Sequence, residues 1–111
     1  MELTPPFHLE TTRIGSHDIV VIKGEVDLAS APRLEKALSK FKRQEVFVDL
    51  RKTEFMDSAG LRVLIAQNAR IEKQGGTLRL LLGEGPVLRL LELTGVRDNF
   101  SIRPTIDSPD T

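Results

Sequence analysis

Val46-Phe47-Val48-Asp49-Leu50, followed after Arg51-Lys52-Thr53-Glu54 by Phe55-Met56-Asp57-Ser58-Ala59-Gly60-Leu61, is the stretch that decides the architecture of this chain. The first run is apolar and of strand length, and the four residues after it read as a polar exit. From Leu61 to Ile71 the pattern turns helical. A small serine beside an aspartate therefore sits where a strand hands over to a helix. In α/β folds this is the end of the sheet where ligands, modifications and partners meet the protein. Ser58 is the candidate functional residue.

The rest of the sequence extends the same alternation outward. Phe7 to Arg13 alternates loosely after Pro5-Pro6, Gly15-Ser16 offers a turn, and Ile19-Val20-Val21-Ile22 is a continuous β-branched run. These read as a hairpin whose second strand is buried on both faces. Gly24-Glu25-Val26-Asp27-Leu28-Ala29 is expected to break that strand and lead into a helix. There Ser30 would cap, Pro32 suits the first turn, and Leu34, Ala37, Leu38 and Phe41 form the core stripe. Asp57 or Ser58 opens the second helix, with Leu61, Leu64, Ile65 and Asn68 on one face and Gly75-Gly76 as its stop. Thr77 to Leu82 is a further strand. Pro86 starts a third helix with Val87, Leu90, Leu91 and Thr94 in register, Gly95 ends it, and Phe100 to Arg103 makes a last strand. The order is β-β-α-β-α-β-α-β. It predicts an α/β domain over residues 7–104, preceded by an arm at 1–6 and followed by a frayed tail at 105–111. The sheet should be five-stranded and mostly parallel, with an antiparallel N-terminal edge strand and helices packed on it.

Composition narrows the function classes. At 111 residues with 40% apolar and 29% charged side chains, one soluble domain with a modest core is expected. Sixteen basic residues balance sixteen acidic ones, and five Phe stand without Tyr or Trp. Such a chain lacks the basic, aromatic surface of a nucleic-acid platform. No apolar run reaches the length of a membrane span and no signal core is visible at the start, so a cytoplasmic protein without membrane insertion is expected. The absence of Cys excludes disulfides and thiol chemistry, and two histidines, His8 and His17, do not make a metal centre. Both histidines read as solvent-exposed. No cofactor is implied, since Gly83-Glu84-Gly85 is too short for a phosphate loop and lacks its lysine.

Ser58 is poorly equipped as a nucleophile. An elbow needs glycines on both sides and a base later in the chain, but Met56 occupies the upstream position and both histidines lie in the first hairpin. Nor does Asp57 suit a magnesium-dependent phosphoacceptor, because the first strand offers only Glu10 as a second carboxylate. The plain role for Asp57-Ser58 is helix capping. The functional role is a phosphorylatable serine. A phosphate at a helix start meets free N–H donors and the positive end of the dipole, and Arg62 lies one turn on.

Gly24-Glu25-Val26-Asp27, Val48-Asp49-Leu50, Phe55 to Leu61, Gly75-Gly76 before a strand, and Leu90-Leu91 with Leu93-Thr94-Gly95 occur together in order. In these segments the chain resembles the STAS domain of the bacterial anti-sigma factor antagonist family, from about Phe7 to Ile102. The resemblance implies a protein-binding switch and not an enzyme. Members bind an anti-sigma factor, commonly a serine kinase of the histidine-kinase-like ATPase fold, and so release a sigma factor. The kinase phosphorylates the serine matched by Ser58 and ends the interaction; a PP2C-type phosphatase restores it. By the same matching, Asp57 and Asp27 lie beside Ser58 on the docking surface; Ala59, Gly60 and Arg62 of the same first turn are counted with them, Gly60 serving backbone geometry and also letting a partner approach closely. Ala59 stands where some relatives carry a second serine, and the family's further C-terminal helix has little chain left to form it. A homodimer would cover the surface that this leaves.

Two other roles fit the same fold: a STAS subunit binding the ATPase of a lipid-transport ABC complex, and a nucleotide or small-molecule sensor at the same sheet end. Leu88 and Leu93, off the main stripe of the third helix, are expected in the core.

Overall fold

The computed structural model describes residues 7–107. The expected arm at 1–6 and residues 108–111 of the expected tail lie outside the described residues. The elements follow the expected order: β1 (His8–Ile14), β2 (His17–Val26), α1 (Ala31–Leu38), β3 (Glu45–Met56), α2 (Ser58–Lys73), β4 (Thr77–Leu81), α3 (Pro86–Leu93), a 3-10 turn (Arg97–Asn99) and β5 (Ser101–Arg103). The sheet runs β1-β2-β3-β4-β5, with β1 antiparallel to β2 and every later pair parallel. Each strand neighbours the next in sequence, so the crossovers all step in one direction. Crossovers of one hand then lay the three helices on a single face.

Alternation along the strands separates the two faces. Val20, Ile22, Val46, Val48, Leu50, Leu78 and Leu80 pack with Leu34 and Leu38 of α1, Leu61, Leu64 and Ile71 of α2, and Val87, Leu88 and Leu91 of α3. On the other face Ile19, Phe47 and Leu81 form a smaller buried cluster, with Ile106 packed against it. The chain at 105–107 thus contributes a contact where a frayed tail is expected. Around this cluster the His17 ring meets Phe47 edge-on at 5.1 Å, and the guanidinium groups of Arg79 and Arg103 lie 6.0 Å and 5.9 Å from the Phe47 centroid.

Several boundaries differ from expectation. β2 does not break at Gly24 but continues to Val26, and β3 runs to Met56 where a polar exit is expected after Leu50. The register explains both. Between Val21/Asp49 and Lys23/Lys52, and again between Gly24/Thr53 and Glu25/Phe55, β3 gains a residue over β2. These irregularities bend the strands without ending the pairing, and Gly24 supplies the positive φ of 89° at that bend. Ile22 has no partner on β3, and the buried Thr53 hydroxyl donates to its carbonyl at 2.9 Å in place of a ladder bond.

α1 ends at Leu38, so Phe41 packs on the core from the following turn and not from the helix stripe. α2 stops as expected, with Gly75 N–H donating to Glu72 O and Gly76 N–H to Ile71 O. Leu88 is buried, but Leu93 is 79% exposed, which corrects its expected place in the core. Of the histidines, His8 is exposed, whereas His17 is half-buried with Nδ1 2.8 Å from Glu45 Oε1, and Glu45 also pairs with Arg79. Among the described residues no helix is long and apolar enough to cross a membrane.

Candidate functional site

The site is assembled where β2 and β3 end. Asp57 remains extended (φ −101°, ψ −172°), and its N–H donates to Val26 O at 3.0 Å, continuing the strand pairing by one more bond. Its carboxylate then turns to the helix. Oδ1 accepts from Ala59 N–H at 2.8 Å and Gly60 N–H at 3.3 Å, and Leu61 N–H donates to Asp57 O at 3.1 Å. Asp57 is the N-cap and Ser58 the first helical residue.

Ser58 is exposed, and its hydroxyl makes no hydrogen bond among the described residues. The donors expected to receive a phosphate are therefore not free: the Ala59 and Gly60 N–H groups already belong to Asp57. Arg62, one turn along α2, is exposed and forms no ion pair among the described residues.

Gly60 faces inward. A Cβ there would lie 2.6 Å from Val26 Cγ1 and 2.9 Å from Met56 Cγ, so the missing side chain lets α2 close onto the ends of β2 and β3. In the structure it serves internal packing. Ala59 is half-buried beside it.

Ser30 stands at the N-cap of α1 as expected but makes no side-chain bond to the helix N–H groups; its hydroxyl is engaged with Asp27, which caps the preceding turn. Asp27 Oδ1 accepts from Ala29 N–H at 3.1 Å, Ser30 N–H at 3.0 Å and Ser30 Oγ–H at 3.0 Å. Ser30 Oγ in turn accepts from Asp27 N–H at 2.9 Å. The backbone and side-chain hydrogen bonds from Ser30 hold the Asp27 carboxyl below the ordinary aspartate range. This clamp leaves Leu28 standing 78% exposed at the tip of the turn, and Phe55 on β3 is 46% exposed. Neither was singled out by sequence pattern. For Leu28 the only available signal was an apolar side chain in a loop that supplies no helix or strand face.

Asp27, Asp57, Ser58, Ala59, Gly60 and Arg62 thus lie at one end of the molecule, on the β2–α1 turn and the first turn of α2. What they can do chemically is limited. No side chain is hydrogen-bonded to Ser58 Oγ to act as its base, and among the described residues no three His, Asp or Glu side chains gather as a metal site requires. A second charged patch lies on the helix-free face. There burial raises the Asp49 carboxyl, but the paired hydrogen bonds from Arg51 outweigh it and leave the group lowered.

Comparison with known proteins gives a consistent pattern. The STAS domain family model matches residues 8–108. An anti-sigma-B factor antagonist of Bacillus subtilis (strain 168) is 36% identical over 89 residues, covering 78% of this chain and 82% of that protein. One from Staphylococcus aureus (strain NCTC 8325 / PS 47) is 28% identical over 94 residues, covering 82% and 87%. Among solved structures, an anti-sigma factor antagonist from Mycobacterium paratuberculosis superposes with a TM-score of 0.83 at 27% identity, covering 95% of this chain and 93% of that one.

Proposed function

Since the chain belongs to the STAS domain family, we propose that it is an anti-sigma factor antagonist switched at Ser58. Its unphosphorylated form binds an anti-sigma factor that is also a serine kinase, and that binding frees a sigma factor in the cytoplasm. The observation that carries this is the state of Ser58: exposed at the first position of α2, unbonded, and without a base of its own. It is placed to be acted upon. The kinase supplies the base that takes the hydroxyl proton, Ser58 Oγ forms the bond to the γ-phosphorus of ATP, and ADP leaves. A PP2C-type phosphatase then returns the hydroxyl by hydrolysis to inorganic phosphate.

The local geometry suits a switch that leaves the fold alone. Asp57 has already satisfied the Ala59 and Gly60 N–H groups, so the helix start needs nothing from the phosphate. The new group adds about −1.5 to −2 charges to a face already bearing the Asp57 and Asp27 carboxylates. A partner docked on that face would have to desolvate them together, which is costly without a matching cluster of cations.

Incubation of the chain with ATP and its kinase should place one phosphate on Ser58, located by peptide mass spectrometry, and none on the Ser58→Ala variant. Equal labelling of Ser58→Ala would end the assignment. Recovery of a transporter ATPase subunit in place of an anti-sigma factor would point instead to a lipid-transport complex.

A further inference from the structure

Along α2 the exposed positions recur at Ser58, Arg62, Ala66 and Ala69, so Ser58 and Arg62 share the solvent stripe of the helix. Residues four apart on a helix have Cβ atoms about 5–6 Å from each other. Helical side chains also lean toward the N-terminus, which carries the Arg62 side chain back over the turn that Ser58 opens. No Asp or Glu stands three or four residues from Arg62 on α2, and Arg62 forms no ion pair among the described residues. Arg70, the next cation on the helix, is by contrast committed. Its guanidinium donates to Gln67 Oε1 at 2.9 Å, Gln74 Oε1 at 3.2 Å and Leu38 O at 2.9 Å, tying α2 to α1.

We propose that Arg62 is the residue that receives the phosphate on Ser58, so that the modified chain closes a phosphoserine–arginine pair along the first turn of α2. This rests on the Ser58 switch proposed above and adds what holds its modified state. A phosphate at a helix start ordinarily bonds to free N–H groups. Here Asp57 Oδ1 already takes the Ala59 and Gly60 N–H groups, and the Leu61 N–H donates to Asp57 O. The guanidinium one turn on offers what those amides do not. Its planar fork can donate two parallel hydrogen bonds to phosphate oxygens. An anion N-terminal to a cation at this spacing is also the favourable order on a helix. In the unmodified chain Arg62 is open to solvent and to any partner; in the phosphorylated chain it is turned onto its own helix. Phosphorylation thus withdraws a cation from this turn as well as adding an anion. The pair fixes where the phosphate stands, and the turn remains net negative because about −1.5 to −2 charges exceed one guanidinium. An exposed pair of this kind leaves overall stability nearly unchanged and weakens with salt.

The test installs phosphoserine in place of Ser58 during translation of the full chain and follows its second ionisation by phosphorus NMR at low salt. Wild type is compared with Arg62→Gln and Arg62→Lys, and melting curves confirm that all three fold. A paired guanidinium favours the doubly charged phosphate. The phosphate of the wild-type background should therefore titrate below that of Arg62→Gln by about 0.3 pH units or more, with Arg62→Lys between them. In the wild-type background the Arg62 Nε–H signal should move through the same midpoint. Identical phosphate titrations with Arg62 and with Arg62→Gln, or an Nε–H signal that ignores the titration, would overturn the pair while leaving the switch at Ser58 standing. Failure of the kinase and ATP to label Ser58 would overturn the switch itself, and the role given to Arg62 would fall with it.

Discussion

A Cβ at Gly60 would meet Val26 Cγ1 at 2.6 Å and Met56 Cγ at 2.9 Å, and neither neighbour can retreat, because both sit in the core. Gly60→Ala should therefore destabilise the domain by about 1–3 kcal/mol through overpacking, read as a lower denaturant midpoint with an unchanged slope. A neutral Gly60→Ala would mean that α2 does not close on the sheet at this point. The sequence marked Gly60 as special but not which way it faces, since a glycine needed for packing and one needed by a partner look alike in a motif. Ser58 was more legible. A small polar residue between strand and helix, with no base and no elbow, has few roles open to it. What sequence could not reveal is that one oxygen of Asp57 takes both the Ala59 and Gly60 N–H groups, because hydrogen-bond ownership depends on the extended backbone of the cap.

At the scale of the elements, the ends of β2 and β3 were the hardest to read. Arg51, Lys52 and Glu54 are exposed, so their polarity imitates a loop, although they continue a paired strand. Only the buried Thr53 belongs inside, and a threonine among charges gives no periodic signal. Its hydroxyl replaces the ladder bond that Ile22 loses to the irregular register. Thr53→Val keeps the shape but leaves that carbonyl unsatisfied, so a loss of about 1–2 kcal/mol is expected in chemical denaturation. No loss would show that the carbonyl is served otherwise. The β2–α1 turn makes a pH-dependent prediction. The Asp27 carboxyl is held below its ordinary value of 3.8, so its clamp is complete above that value in the folded protein and is lost only as pH falls through the lowered one. The protection of the Ala29 and Ser30 amides, measured as exchange relative to the intrinsic rate at each pH, should thus stay constant through neutral and mildly acidic pH. A transition centred above 3.8 would contradict the clamp. Ser30 directly precedes the helical stripe and takes the N-cap position, but its hydroxyl turns to Asp27, whose oxygen holds the Ala29 and Ser30 N–H groups of the turn before the helix.

Across the whole molecule, the element order, the antiparallel edge strand and the parallel pairing of the rest were legible because hairpin and crossover spacing leave few topologies open, whereas the spatial order of the strands was not read. The asymmetry between faces was not. Three helices share one side, while Phe47, Ile19 and Leu81 are buried on the other beneath Ile106 and two arginines. A continuous apolar strand announces burial on both faces without saying what provides it. At one end of that layout Ser58 opens α2 beside the capping Asp57, with the Asp27 turn at the end of the neighbouring strand, and its hydroxyl bonds to nothing among the described residues. The direct test compares the unphosphorylated chain with the chain phosphorylated at Ser58, each titrated into the same anti-sigma kinase holding its sigma factor. The unmodified chain should displace the sigma factor, and the phosphorylated chain, with an unchanged melting temperature, should not. Equal displacement by both forms would contradict a switch at Ser58.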